Sequence, residues 1–553
     1  MLWETFSVVR DLSRLHEIAA ILIKYGWGDF VRVLGIGTVL ERAGRILHWH
    51  AQPSEISQLE PAIRVRLALE ELGPTFVKLG QVLATRVDLL PPAWIVELEK
   101  LQSNVPAVPF ELIEAELIAL LGKPIDEAFL KFDREPFAAA SMAQVHRAEL
   151  FDGSRVVVKI RRPGIDKKIE ADLRILQHFA RLIEHDMPEA RRYQPIMMAA
   201  QFRRSLRREQ DLLMEAHNID RFRQNFAGDE TAHIPQVYWE YTCASMNVQE
   251  ELRGIAGTDL AAVRAAGMDT PLLASRGADI VLKMILVHGY FHADPHPGNV
   301  IYLPGNRIGL IDFGMVGRLT DYRRQQLVNL LDALAHNDEE AMLQVLMDWT
   351  GDGEVDEAKL GADVSELLFS YDNLQLKDVK IGAMLTEIAG LIRENSLVLP
   401  ADLTLLFKAL ITLEGLGQQL DPEFHLVDHL TPFVRGVIAE RYTPEALMKR
   451  GRRSLKDAFE VVSGLPRDLA RLMREARRGR LRIDLDLKRL DQFGQQLDRA
   501  SNRITMGILT ASLVIGSSIV MTVDGWRFMG FIGFLLAFLN SLWVILSIWR
   551  SGN

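Results

Sequence analysis

HADPHPGN, residues 292–299, admits two chemistries. His292, Asp294 and His296 alternate as metal ligands can. Asp294 and Asn299 are also five residues apart, the spacing of a kinase catalytic loop, where the aspartate faces the acceptor and the asparagine holds metal. IDFG, residues 311–314, decides between them. Asp312 follows Asp294 by 18 residues and ends a hairpin formed by VIYL, the turn Pro304-Gly305-Asn306 and RIGLIDF. That is the position of the aspartate that binds the Mg²⁺ bridging the phosphates. Carboxylate and amide oxygens suit this hard ion. A histidine-based site needs a third or fourth ligand, and no H-x-x-x-H or similar spacing supplies one. Asp294 is therefore read as catalytic, Asn299 and Asp312 as metal ligands, and the two histidines as structural.

Upstream residues extend the set. Lys159 in VVVKI follows an Asp152-Gly153 hairpin turn and matches the strand lysine that pairs with the α- and β-phosphates. Its carboxylate partner is expected from REQDLLMEA, which offers Glu209, Asp211 and Glu215. Glu209 and Glu215 are six apart and cannot point the same way on one helix, so two cations are needed. The second is Lys78 in FVKLGQVLATR, with Gln81 on the same helix face. The phosphate-covering loop reads AAASMAQV: Ala138, Ala139, Ala140, Ser141, Met142, Ala143, Gln144 and Val145. Alanines stand where a G-x-G-x-x-G-x-V frame has glycines, which stiffens the loop and restricts backbone approach to phosphate. A helical pattern resumes at Thr320 and no A-P-E follows, leaving no room for the segment that holds a peptide substrate.

Composition bounds the rest. The chain has 553 residues and one cysteine, Cys243, which excludes an intrachain disulfide and reads as a packing residue. The N-terminus does not look like a secretory or mitochondrial signal. Lys449 to Arg503 carries 16 Lys/Arg against 8 Asp/Glu, a net +8. Within a total of −9, residues 1–448 carry −18, which argues against nucleic acid as a partner. Two uncharged stretches follow the basic collar: 20 residues at 504–523 and 22 at 528–549. Each is long enough for a bilayer core, and the short link forces a hairpin. Gly507, Ala511, Ser512 and Gly516 allow close helix contact. Flanking basic residues place both ends in the cytoplasm.

The expected fold is α+β and bilobal. Residues 1–122 form a helical extension carrying KLGQ, and 123–254 a β-containing N-lobe. A helical C-lobe spans 255–448, a basic juxtamembrane segment 449–503, and two transmembrane helices lie within 504–549.

KLGQ (78–81), AAAS (138–141), VVVKI, EQD (209–211) with Glu215, HADPHPGN and IDFG, in this order, resemble the UbiB-type atypical kinase-like family, as does LGPTFVKLGQVLATRVDLLPP. The resemblance spans about residues 60–420, and the apolar tail is similar to that of bacterial members. It implies an atypical protein-kinase-like fold whose extension blocks peptide substrates. It pairs Lys78 with Glu209 and Asp211, and Lys159 with Glu215. It implies ATP or ADP with Mg²⁺ as cofactors, and ATPase or small-molecule or lipid phosphotransfer activity supporting ubiquinone biosynthesis. Adenine contacts are expected near Glu250 and Leu252, although Gln249 departs from the apolar residue usual before the hinge. The expected place is the bacterial inner membrane, multi-pass, with the body cytoplasmic. Expected partners are membrane lipids, anionic ones included, ubiquinone-biosynthetic enzymes or intermediates, and a second copy of the chain. A non-catalytic nucleotide-binding scaffold and a small-molecule kinase outside quinone metabolism are the alternatives.

Overall fold

A computed structural model describes residues 11–33, 36 and 59–441, except 87–88, 102–106, 188–189, 192–193, 351–354, 372–378, 396 and 398. In the C-terminal region it describes 509–519, 532–533, 535–537 and 539. The chain forms two compact units, Met1–Ala446 and Leu447–Asn553.

In the first unit, an antiparallel sheet runs in the order Lys131–Phe132, Ala143–Glu149, Arg155–Arg161, Met246–Glu250, with Ala138–Ala139 also paired to Ala143–Glu149. Asp152 accepts from the Ser154 N–H and Gly153 takes φ +85°, which closes the tight turn between the two longest strands. Strand side chains alternate between faces. Val156, Val158, Ile160, Met246 and Val248 pack on Ile113 and Leu117 of the helix Phe110–Leu121. The same alternation leaves Val145, Lys159, Val157, Asn247 and Gln249 on the opposite face.

The larger lobe is helical around small sheets. Val300–Leu303 and Arg307–Leu310 pair as a hairpin, and Tyr290–His292 pairs with Val316–Arg318. These strands frame the catalytic loop and Asp312. Gly317 lies flat on Phe291, where a Cβ would come within 2.1 Å of the ring. Thr320 caps the next helix, Asp321–His336, by accepting from the Arg323 N–H. The buried Glu414 of the helix Ala401–Leu420 accepts from the Ile381 and Gly382 N–H groups and so caps Ile381–Glu394.

The extension contributes helices Leu12–Lys24, Pro61–Leu72, Pro74–Ala84 and Pro92–Leu98, with proline opening the last three. They share a core with Ile175, Phe179 and Leu182 of the long helix Ile165–Asp186. A buried ion pair joins the two: Arg14 Nε donates to Asp172 Oδ1 at 2.6 Å, and Arg14 Nη2 to the Leu72 carbonyl at 2.6 Å.

The helical stretch read over 165–226 is three helices, Ile165–Asp186, Pro195–Gln210 and Leu212–Asn225. Among the described residues no helix is long and apolar enough to cross a membrane. Residues 509–519 are helical and expose Leu509, Val514, Ile515 and Ile519. Gly533 meets Ser517 so closely that a Cβ would lie 2.0 Å from its hydroxyl. Most of both expected spans, and all of the collar 449–503, lie outside the described residues.

Removing one partner of a buried ion pair leaves the other charge unpaired, at about 3–5 kcal/mol. Because Arg14 keeps Glu17 at 2.8 Å and the Leu72 carbonyl, Asp172→Ala is expected to cost less than that, about 1–3 kcal/mol, in denaturant unfolding. It should also raise amide exchange first in Leu12–Lys24. Full protection of that helix in the variant would show that the extension is held otherwise.

Candidate active site

Lys159 sits mid-strand on the open face of the sheet. Its Nζ is 2.8 Å from Glu215 Oε1 and 3.5 Å from Asp312 Oδ1. Glu215 comes from the first turn of Leu212–Asn225. Burial alone would lower the Lys159 ammonium, but the charges of Asp312 and Glu215 overcome this and hold it above its ordinary value. Burial pushes the Glu215 carboxyl up, against the pull of Lys159. The Lys159 charge dominates at Asp312 and, with the Gly314 N–H, holds it well below the usual carboxylate range despite burial. Asp312 has φ +59°, a left-handed conformation that aspartate tolerates when its side chain bonds nearby backbone. Here Asp312 Oδ1 accepts from the Gly314 N–H at 3.1 Å.

The catalytic loop is tied to this aspartate through backbone. The buried His292 ring is kept neutral by burial; its Nε2 donates to the Asp312 carbonyl and its Nδ1 accepts from the Asp294 N–H. Asn299 Nδ2 donates to the Asp294 carbonyl at 3.0 Å, and the Ile311 N–H donates to the Asn299 carbonyl. The amide of Asn299 therefore keeps its oxygen for an outside donor or cation. His296 accepts from the Gly298 N–H. Both histidines serve the loop's shape.

Asp294 has a partner that the motif spacing did not indicate. Lys408 Nζ, from Ala401–Leu420, lies 2.7 Å from Asp294 Oδ1. Burial would raise the Asp294 carboxyl; the Lys408 charge and hydrogen bond reverse that and lower it. Glu99 lies near enough for both charges to act on it, while desolvation pushes its own carboxyl up.

The KLGQ residues divide their work. Lys78 is buried and its Nζ is 2.7 Å from Glu209 Oε1. Gln81 Nε2 donates to the Leu101 carbonyl at 3.1 Å. A Cβ at Gly80 would come within 2.2 Å of a Leu101 methyl and 2.8 Å of a Leu69 methyl, so a larger residue would have to displace these side chains. Gly80 and Gln81 thus fix the segment that carries Glu99.

The alanine loop is a tight hairpin. The Ala140 N–H donates to the Ala143 carbonyl, and Arg162 Nε donates to the Ala140 carbonyl. The buried Met142 packs with Leu79 and Val82 of the KLGQ helix, which pins the loop to the extension.

Several expected site residues turn elsewhere. Asp211 does not join Lys78: it ends Pro195–Gln210 and caps Leu212–Asn225, accepting from the Leu213 N–H. That break also lets Glu209 and Glu215 diverge. Met142, Ser141 and Ala143 are buried. Gln144 is fully buried on the core face, where it bonds His146 and the Val108 N–H. Glu250 shares that parity and binds His233 and the Gln236 N–H. Leu252 packs over Gly309. The Gln144 and Glu250 side chains are thus engaged within the protein.

Among the described residues no group of three or more His, Cys, Asp or Glu could hold a metal alone. The Asp312 carboxylate and the Asn299 amide oxygen are hard donors that would suit a magnesium ion. The cleft face also carries an unpartnered buried acceptor, Asn247 Oδ1, beside Lys159 in the strand register. Both observations fit a magnesium nucleotide.

The ABC1 atypical kinase-like domain matches residues 100–346, the UbiB helical domain 364–425, and the ABC1/UbiB kinase-like C-terminal domain 488–550. A protein named "Probable protein kinase UbiB" from Azotobacter vinelandii is 36% identical over 447 residues, covering 79% of this chain and 82% of that protein. Its namesake in Pseudomonas aeruginosa is 36% identical, covering 79% and 83%. A Clostridium pasteurianum protein, described as an uncharacterized protein in the hydrogenase 1 5' region, is 32% identical over 98% of this chain and 100% of its own. A Mycobacterium tuberculosis protein solved with erythromycin aligns with TM-score 0.43 and 20% identity, over 64% of this chain and 94% of its own.

Because Lys408 lowers the Asp294 carboxyl, Lys408→Met should raise it. If turnover needs ionised Asp294, the acid limb of its pH profile moves to higher pH and the alkaline limb stays. An acid limb that does not move would mean that Lys408 does not govern Asp294.

Proposed function

Since the chain belongs to the UbiB family of atypical kinase-like proteins, we propose that it binds ATP or ADP with Mg²⁺ and transfers phosphate to water or to a small or lipid-like acceptor, in support of ubiquinone biosynthesis. The observation that carries this reading is the contact of Lys159 with both Glu215 and Asp312. A lysine so placed is pre-positioned for phosphate oxygens, and it needs no rearrangement to meet their charge. Magnesium, when bound, would supply charge neutralisation at the phosphates from Asn299 and Asp312. Asp294 orients the attacking hydroxyl or water and accepts its proton, with Lys408 keeping it ionised.

One observation favours the scaffold reading. The KLGQ helix is tied to the site by Lys78–Glu209 and to the alanine loop by Met142, so the acceptor side is covered. A protein that binds nucleotide without turning it over would fit such a cover. Attachment to the bacterial inner membrane rests on the uncharged stretches 504–523 and 528–549 and on the basic collar before them. The body then lies on the cytoplasmic side, where anionic lipid attracts the collar.

Asp312→Asn removes the charged metal ligand and one of the two carboxylates that face Lys159. In a phosphate-release assay on the full chain, it should lower kcat/KM by about 2–4 kcal/mol and blunt the magnesium dependence. Wild-type protein that binds MgATP without releasing phosphate under any magnesium concentration would select the scaffold.

A further inference from the structure

HADPHPGN contains no lysine or arginine. The catalytic loop therefore brings Asp294 to the acceptor without a cation of its own. The other two lysines of the site are committed, Lys159 to Glu215 and Asp312, and Lys78 to Glu209. A phosphoryl group arriving beside Asp294 adds negative charge next to a carboxylate, where like charges repel. Catalysis of phosphoryl transfer rests on positioning and on fixed groups that neutralise that charge.

Lys408 stands at this point. Its Nζ lies 2.7 Å from Asp294 Oδ1, with the two side chains 22% and 23% exposed, so both remain open to the cleft. An ammonium has three N–H donors, and Asp294 Oδ1 takes one. The other carboxylate oxygen, Asp294 Oδ2, is 3.7 Å from His296 Nε2, too far for a hydrogen bond, and is left for the acceptor's hydroxyl. The two oxygens of one carboxylate are neighbours, so the phosphorus under attack comes beside the ammonium. The helix that carries Lys408 is anchored. Phe407 and Ala409 on either side of it are fully buried, and Glu414 of the same helix caps Ile381–Glu394.

We propose that Lys408 is a catalytic residue in its own right, which donates to the oxygens of the transferred phosphoryl group through the N–H groups that Asp294 leaves free. This rests on the phosphotransfer reading above and adds a direct substrate contact to the hold of Lys408 on Asp294. In the step, the bond from the terminal phosphorus to the bridging oxygen of ADP breaks and the acceptor oxygen bonds to that phosphorus. The acceptor's proton passes to Asp294, and Lys408 keeps its own protons throughout.

The test is equilibrium binding of MgADP and of the non-hydrolysable triphosphate β,γ-imido-ATP to the full-length protein, by titration calorimetry. In Lys408→Met the triphosphate should weaken about tenfold more than the diphosphate, as loss of one hydrogen bond to a charged group requires. Lys408→Arg should restore part of that difference. The same substitution is then made in an Asp294→Asn background. If Lys408 acted only by holding Asp294, it would have no further effect there; a direct contact keeps the triphosphate-specific loss. The double variant removes both charges together and leaves neither unpaired, so it decides if Lys408→Met alone has no melting transition. Equal weakening of both nucleotides, or no triphosphate-specific loss in the Asp294→Asn background, overturns the assignment and leaves the nucleotide reading standing. Wild-type protein that binds neither nucleotide removes that reading and the contact with it.

Discussion

Lys159 is held by two carboxylates that come from different places in the fold. Glu215 arrives on the helix Leu212–Asn225 and Asp312 on the strand turn of the large lobe. Both acids are charged partners of the lysine. Glu215 is buried enough that its charge needs a close cation, and Asp312 sits in a left-handed conformation beside it. The pair of contacts therefore ties the strand of Lys159 to both acids, while Ala216, Ile219 and Phe222 anchor the helix of Glu215 in the core of the large lobe. It also fixes the Asp312 backbone, whose carbonyl orients His292 and through it the catalytic loop. The loop geometry and the candidate metal ligands both lean on this one cation.

Much of this could be read from residue order. D-x-x-x-x-N followed by DFG, with a strand lysine upstream, is specific because the chemistry needs those groups and hairpins place them. The same patterns explain the errors. Gln144 and Glu250 fell within the frames of a phosphate loop and a hinge, but strand alternation puts them on the core face. The core partners Val156, Val158 and Ile160 show that parity once the register is known. The resemblance pairs Asp211 with Lys78. Asp211 stands instead where aspartate is favoured at a helix start.

Other features had no local signal. Lys408 lies in LTLLFKAL, where a lysine reads as a solvated residue with its stem on apolar surface. Only the packing of Ala401–Leu420 onto the lobe brings it to Asp294. Gly80 and Gln81 belong to a motif whose lysine carries the charge, yet their contacts with Leu101 are steric and backbone-directed.

The position of Lys408 has a consequence for how the protein is made. It follows Asp294 by 114 residues. During synthesis, at about 5–20 residues per second, the lobe that carries Asp294 leaves the ribosome several seconds before the lysine that neutralises it. In that interval the Asp294 carboxylate lacks the counter-charge of Lys408. Tertiary closure of the loop is thereby coupled to completion of the helical region. A chain released early, by a stop codon or a protease cut before residue 401, would carry every recognised motif and still lack the charge that sets Asp294 to its task.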